Sequence, residues 1–140
     1  MSIMGIDYGD KRIGVAITDE LTGSAHPLKV VPSAIGIPEI KKLAAEYGNV
    51  EKFVVGMPYN LKNEVAFKAK QVLSWVEKLK KEVSIPVETW DERFSTTEAT
   101  SILINADVSR KKRKEVIDKM AACVILQSYV DAQKSGKKGV

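Results

Sequence analysis

Apolar residues alternate with small or polar ones through Ile13, Val15 and Ile17, the period-two pattern of a half-buried strand. Just before them, Ile3, Met4, Ile6 and Tyr8 form a β-prone run. Gly9, Asp10 and Lys11 lie between the two runs and supply turn chemistry, so the pattern predicts an opening hairpin. A third strand is predicted over Leu28 to Val31. Pro38 suits the first turn of a short helix that runs to Tyr47, with Gly48 as its stop. Phe53, Val54 and Val55 are a continuous apolar run ending in Gly56, which reads as a strand buried on both faces. Between Glu64 and Glu82 the period changes. Val65, Ala69, Val72, Val76 and Leu79 step by three and four, as on one face of a helix. Pro86 then precedes a strand over Val87 to Trp90. Ser95 and Glu98 match a capping box, which predicts a helix to about Asn105. Ser109 is the expected N-cap of a last helix running towards Ala132. Three antiparallel-type strands followed by alternating helices and strands describe an α/β chain, a mixed sheet with helices on its faces.

The chain has 140 residues, 44% hydrophobic and 29% charged. One folded domain over residues 1–133 is expected, followed by a basic, mobile tail at 134–140. The composition excludes a disordered acidic or collagen-like chain. A single cysteine, Cys123, excludes an internal disulfide and a cysteine-rich zinc site. The longest apolar run near the end, Met120 to Leu126, falls far short of the ~18 residues of a membrane span. Asp7 and Asp10 interrupt any secretory-signal pattern at the start, so a cytoplasmic protein with no membrane partner is expected. The net charge of +4 is compatible with a nucleic-acid partner without demanding one.

Three sets of acids stand out. Asp7 interrupts an apolar strand, where a carboxylate is costly unless paired, hydrogen-bonded or metal-bound. An exposed strand or turn position is the plainer reading. Asp91 and Glu92 follow the Val87 to Trp90 strand, and strand ends in open α/β sheets are where ligands gather. Taken alone they read equally as loop acids near the next helix. Asp118 shares a helical stripe with Ala121, Ala122, Ile125 and Tyr129, so a solvated face fits it poorly. Carboxylates from three separate elements suit a hard cation, Mg2+ or Mn2+, and two such ions serve phosphodiester displacement.

Several other residues carry paired readings. Gly5, Gly9 and Gly14 allow close backbone approach to a phosphate, or else hairpin and bulge geometry. Arg12 fits a bidentate phosphate contact or a surface charge. Asn60 fits a substrate contact from a loop after a buried strand, or with Pro58 a simple turn. Arg93 beside the acids fits either a phosphate contact or an internal ion pair. Arg110, Lys111, Lys112, Arg113 and Lys114 form an unbroken basic run, a solvated face by default and a phosphate-steering surface if it lies near Asp118. Tyr59 is an exposed loop aromatic that would stack on an unpaired base. His26, the only histidine, precedes Pro27 and reads as a turn residue, which leaves serine- or cysteine-based triads unsupported.

The segment Gly5-Ile6-Asp7-Tyr8-Gly9-Asp10-Lys11-Arg12-Ile13-Gly14-Val15-Ala16 resembles the N-terminal motif of the YqgF/RuvX family. That family is associated with pre-16S ribosomal RNA cleavage and is related to Holliday-junction resolvases. Val54-Val55-Gly56-Met57-Pro58-Tyr59-Asn60 resembles its strand-and-loop motif, and Asp91-Glu92-Arg93-Phe94-Ser95-Thr96 its acidic motif. Lys114 to Leu126, with Asp118, Ala121 and Ala122, resembles its C-terminal helix. Where members often carry Asp-Gly after the Gly-x-Pro-x-Asn segment, this chain has Lys62-Asn63-Glu64. The resemblance implies a ribonuclease H-like fold, with a five-stranded mixed sheet whose first three strands are antiparallel. It also implies a Mg2+- or Mn2+-dependent nuclease with Asp7, Glu92 and Asp118 as its acids, Glu92 being preferred over Asp91.

The expected substrate is structured RNA, with precursor ribosomal particles as partners. Branched DNA cut by a symmetric dimer, or nucleic-acid binding without catalysis, are the alternatives, and the chain is a monomer or a homodimer. The Asp7-Tyr8-Gly9 opening also looks like the first phosphate loop of sugar kinases and actin-type ATPases, but 140 residues leave no room for their two lobes.

Overall fold

The structure is a computed structural model, described here for residues 2–58, 63–91 and 110–134. Its five strands are β1 (Ser2–Tyr8), β2 (Arg12–Thr18), β3 (Ala25–Pro32), β4 (Val50–Met57) and β5 (Val87–Asp91). The helices among the described residues are α1 (Gly36–Tyr47), α2 (Asn63–Glu82) and α3 (Arg110–Lys134), and a 3-10 turn, Ser33–Ile35, leads into α1. The strands form one sheet in the order β3-β2-β1-β4-β5. The pairs β1–β2 and β2–β3 are antiparallel, and β1–β4 and β4–β5 are parallel.

Local chemistry explains the boundaries. Gly9 lies in the β1–β2 turn, where a Cβ would come within 2.6 Å of the Arg12 carbonyl oxygen, so only glycine fits without adjustment. The Ser33 hydroxyl donates to the Gly9 carbonyl at 2.6 Å and the Ser33 N–H donates to that of Lys11, tying this turn to the exit of β3. α1 starts two residues before Pro38, which costs nothing because the first-turn amides have no helical acceptor. It ends at Gly48, whose φ of 74° is the left-handed stop expected of that glycine. The third strand is longer than the Leu28 to Val31 core read from the sequence. A register shift between Val15 and Ala16 lets pairing continue to Ala25 despite Pro27.

Alternation sorts the sheet into two faces. Met4, Ile6, Ile13, Val15, Phe53 and Val55 pack with Ile40 and Leu43 of α1 and Val72, Trp75, Val76 and Leu79 of α2. On the other face Ile3, Ala16, Val54 and Trp90 pack with Ala122, Ile125, Leu126 and Tyr129 of α3. Phe53, Val54 and Val55 are all fully buried, as their continuous apolar run predicts. Ala122 is buried opposite Gly5, and these two small residues let the last helix close on the sheet. A Cβ at Gly5 would lie 2.7 Å from the Leu126 Cβ, so this glycine serves helix packing rather than phosphate approach.

Lys134, expected at the start of a mobile tail, is the last residue of α3. The helix predicted from Ser95 and the cap predicted at Ser109 lie outside the described residues. Within them, no helix is long and apolar enough to cross a membrane.

Candidate functional site

Parallel strands β1, β4 and β5 finish side by side. Met57 at the end of β4 pairs with Asp91 at the end of β5, and Asp7 lies one residue past the Ile6–Val55 pair. The ends of such strands form the crevice in which α/β sheets bind ligands. Asp7 is half-buried and opposite Gly14 on β2, where the absence of a side chain leaves room beside the carboxylate. It alternates with Ile3 and Gly5, and so belongs to the α3 face of the sheet.

The direction of α3 decides which of its residues reach this crevice. Tyr129 donates to Glu88 Oε2 at 2.9 Å and accepts from Lys52 Nζ at 2.8 Å. Lys52 pairs with Ile3, at the opposite end of β1 from Asp7. Gly5 meets Ala122 and Leu126. The helix therefore runs antiparallel to β1, and position 118, one turn before Ala122, falls at the Asp7 end of the sheet.

Arg12 and Lys119 line one groove of about 340 Å³ with Leu28, Lys29, Val30, Val31 and Pro32. No acid lines it among the described residues, and Lys29 stands 3.8 Å from Glu39. Cations from β2 and α3 thus share one groove beside the strand ends, a surface that suits phosphate, while the Lys29 ammonium pairs with Glu39 of α1 on the other face. Lys119 was missed from the sequence. Its only signal there was position, next to Asp118.

β5 separates its two acids. Val87 packs on the α1–α2 face, while Glu88 reaches Tyr129 and the indole N–H of Trp90 donates to Ser128 Oγ at 3.0 Å on the α3 face. Asp91 is in phase with Val87 and Thr89, and so belongs to the face opposite Asp7. Glu92, Arg93, Tyr59 and Asn60 lie outside the described residues. Arg110, Lys111, Lys112 and Arg113 form the first turn of α3, and Asp118 lies further along the same helix. Among the described residues no three metal-ligating side chains gather.

His26 belongs to β3 rather than to a turn. It is exposed, with Nε2 3.8 Å from Asp19 Oδ2, remote from the crevice. Perturbed titration is also remote. The Lys52 ammonium is held protonated by its hydrogen bonds to Glu88 and Tyr129, and burial pushes the Tyr129 phenol and the Cys123 thiol up.

Residues 1–132 match the family model described as RuvX: Holliday junction resolvase. A relative from Desulforamulus reducens, named "Putative pre-16S rRNA nuclease", is 49% identical over 135 residues, covering 94% of this chain and 98% of the relative. A relative of the same name from Listeria monocytogenes is 46% identical over 136 residues, covering 94% and 98%. Among solved structures, Thermus thermophilus RuvC in complex with a Holliday junction aligns with a TM-score of 0.60 at 19% identity, covering 98% of each chain. RuvC from the same organism, in a further structure, aligns at 0.52 and 16%, covering 97% of each. This likeness establishes the ribonuclease H-like fold that the N-terminal motif implied.

Proposed function

We propose, because this chain belongs to the RuvX family, that it is a divalent-metal-dependent endonuclease hydrolysing phosphodiester bonds of structured RNA, in 5′-end maturation of precursor 16S ribosomal RNA. The observation that carries this reading is the shared groove of Arg12 and Lys119. Arg12 opens the strand that pairs with β1 beside Asp7, and Lys119 follows Asp118 in sequence, so the groove brings the neighbourhoods of two distant acids together.

Asp7, Glu92 and Asp118 form the acidic set. Glu92 is chosen over Asp91 because Asp91 falls on the face away from α3. A set built of carboxylates alone suits a hard cation, and the three would hold Mg2+ or Mn2+, which supplies charge neutralisation at the attacking and departing oxygens. The chain's own contribution is positional. Arg12 and Lys119 seat the phosphate, with the Arg12 guanidinium offering two parallel donors. The half-buried Asp7 lies at the same end of the sheet, on the face that α3 covers. Water adds to phosphorus, the bond to one ester oxygen breaks, and that oxygen leaves with a proton. Asn60 and Arg93 are assigned to further substrate contacts, and the basic run Arg110 to Arg113 to steering the RNA backbone. The work is that of a cytoplasmic protein acting on ribosomal precursor particles.

Charge-neutral substitutions test the mechanism. Asp7→Asn, Glu92→Gln and Asp118→Asn should each lower metal-dependent cleavage of a precursor 16S RNA fragment by at least about a hundredfold, while RNA affinity stays within about threefold. Full cleavage by all three variants would rule the mechanism out. The family description favours one rival substrate, a four-way DNA junction. Preferential cutting of that junction in a side-by-side assay would replace RNA as the substrate and leave the acidic set intact.

A further inference from the structure

On the far side of β1 from Asp7, the next residue, Tyr8, opens a second groove of about 370 Å³. Its floor is aromatic, with the Tyr8 and Trp75 rings 5.0 Å apart and tilted by 33°. Its long wall is one stripe of α2, because Phe67, Lys70, Ser74 and Lys78 recur at helical spacing and all line it. From Phe67 to Lys78 that stripe extends about 16 Å.

Three properties point to a nucleic-acid strand. The groove is lined by Lys70 and Lys78 and by no acid among the described residues, and neither lysine takes part in an ion pair there. Phe67 is 65% exposed and lines the same groove as the two lysines, so this aromatic side chain is open to solvent rather than packed in the core. Aromatic faces of this kind stack on bases, and only unpaired bases have faces to offer. Finally, Tyr8 follows Asp7 directly, so the groove begins at the same end of β1 as the crevice, on the opposite face of the sheet.

We propose that the α2 groove binds an unpaired RNA segment flanking the cleaved phosphodiester, with Phe67 stacking on a base and Lys70 and Lys78 contacting phosphates. The proposal rests on the nuclease reading for its choice of RNA, and its test is made independent of cleavage.

Binding of the full chain would be followed by fluorescence anisotropy in EDTA. The probes are a labelled blunt RNA hairpin and the same hairpin carrying a short oligouridine extension. The extension should tighten binding, Phe67→Ala should weaken binding of the extended probe by about tenfold, and affinity for the blunt hairpin should stay unchanged. The double variant Lys70→Ala/Lys78→Ala should flatten the log–log salt dependence for the extended probe by about 1.4, from two contacts at 0.7 each. No gain from the extension, or equal binding by the variants, would overturn the proposal. So would a parent dimer in sedimentation that Phe67→Ala converts to monomer, since the stripe would then be an interface between copies. Loss of the extension effect while Asp7→Asn still abolishes cleavage would defeat this groove alone. Unimpaired cleavage by Asp7→Asn with the extension effect intact would defeat the nuclease mechanism alone.

Discussion

Cys123 lies against β3, its Sγ 3.4 Å from the Ala25 carbonyl oxygen, and burial makes its thiol harder to ionise than in the unfolded chain. Tyr129 shifts in the same direction through burial, and Lys52 through its hydrogen bond to Glu88. All three bind their protons more tightly when folded. Their stabilisation is complete below the unfolded-state values and is lost as pH rises towards the folded ones. Thermal melts should therefore show stability falling from about pH 8 to about pH 10, where ordinary thiols begin to ionise. Cys123→Ala should make that fall shallower, even though it lowers stability at neutral pH. The neighbouring acids Asp91 and Glu92 are to be told apart by function at this scale. Asp91→Asn should retain cleavage within about threefold of the parent, whereas Glu92→Gln should not, and single-turnover rates on one RNA would distinguish them.

Gly5 leaves no side chain between β1 and α3, so strand and helix approach closely there. Gly5→Ala would push the Leu126 side chain, and with it α3, away from the sheet. The expected cost is about 1–3 kcal/mol in denaturant unfolding, with a parallel loss of cleavage as position 118 moves from Asp7. Elements of this kind were largely legible in the sequence. Period two in Ile13, Val15 and Ile17, the doubly buried run at Phe53 to Val55, and the stop at Gly48 each follow from local rules. The full length of β3 was not legible, since a Pro at position 27 argues against a strand until the irregularity after Val15 shifts its register. The role of Gly5 was hidden for a similar reason. A glycine in a strand signals close approach, but only the tertiary structure says that the neighbour is a helix.

In the whole molecule, cations occupy both sides of the β1 end, Arg12 and Lys119 on one and Lys70 and Lys78 on the other. The first turn of α3 adds Arg110 to Arg113. Replacing those four by alanine should weaken RNA binding and lower its salt dependence, checked by titration from low to physiological salt. Unchanged affinity would reduce the run to a solvated face. Asp7 and Asp118 were legible as candidates, because a carboxylate in an apolar strand and an acid on an apolar stripe both break the local pattern, whereas the direction of the last helix came only with the fold. The two lysine-lined grooves were not. Lys119, Lys70 and Lys78 look like ordinary helix-surface charges until the fold sets them beside the strand ends.

The link from Ala25 N to Gln127 Oε1 joins residues 102 positions apart, and α3 is the last described element in chain order. During translation, then, the β-sheet leaves the exit tunnel with Trp90, Val54 and the Gly5 stretch still uncovered. A nascent chain therefore keeps this face of the sheet open until the last helix has emerged and docked.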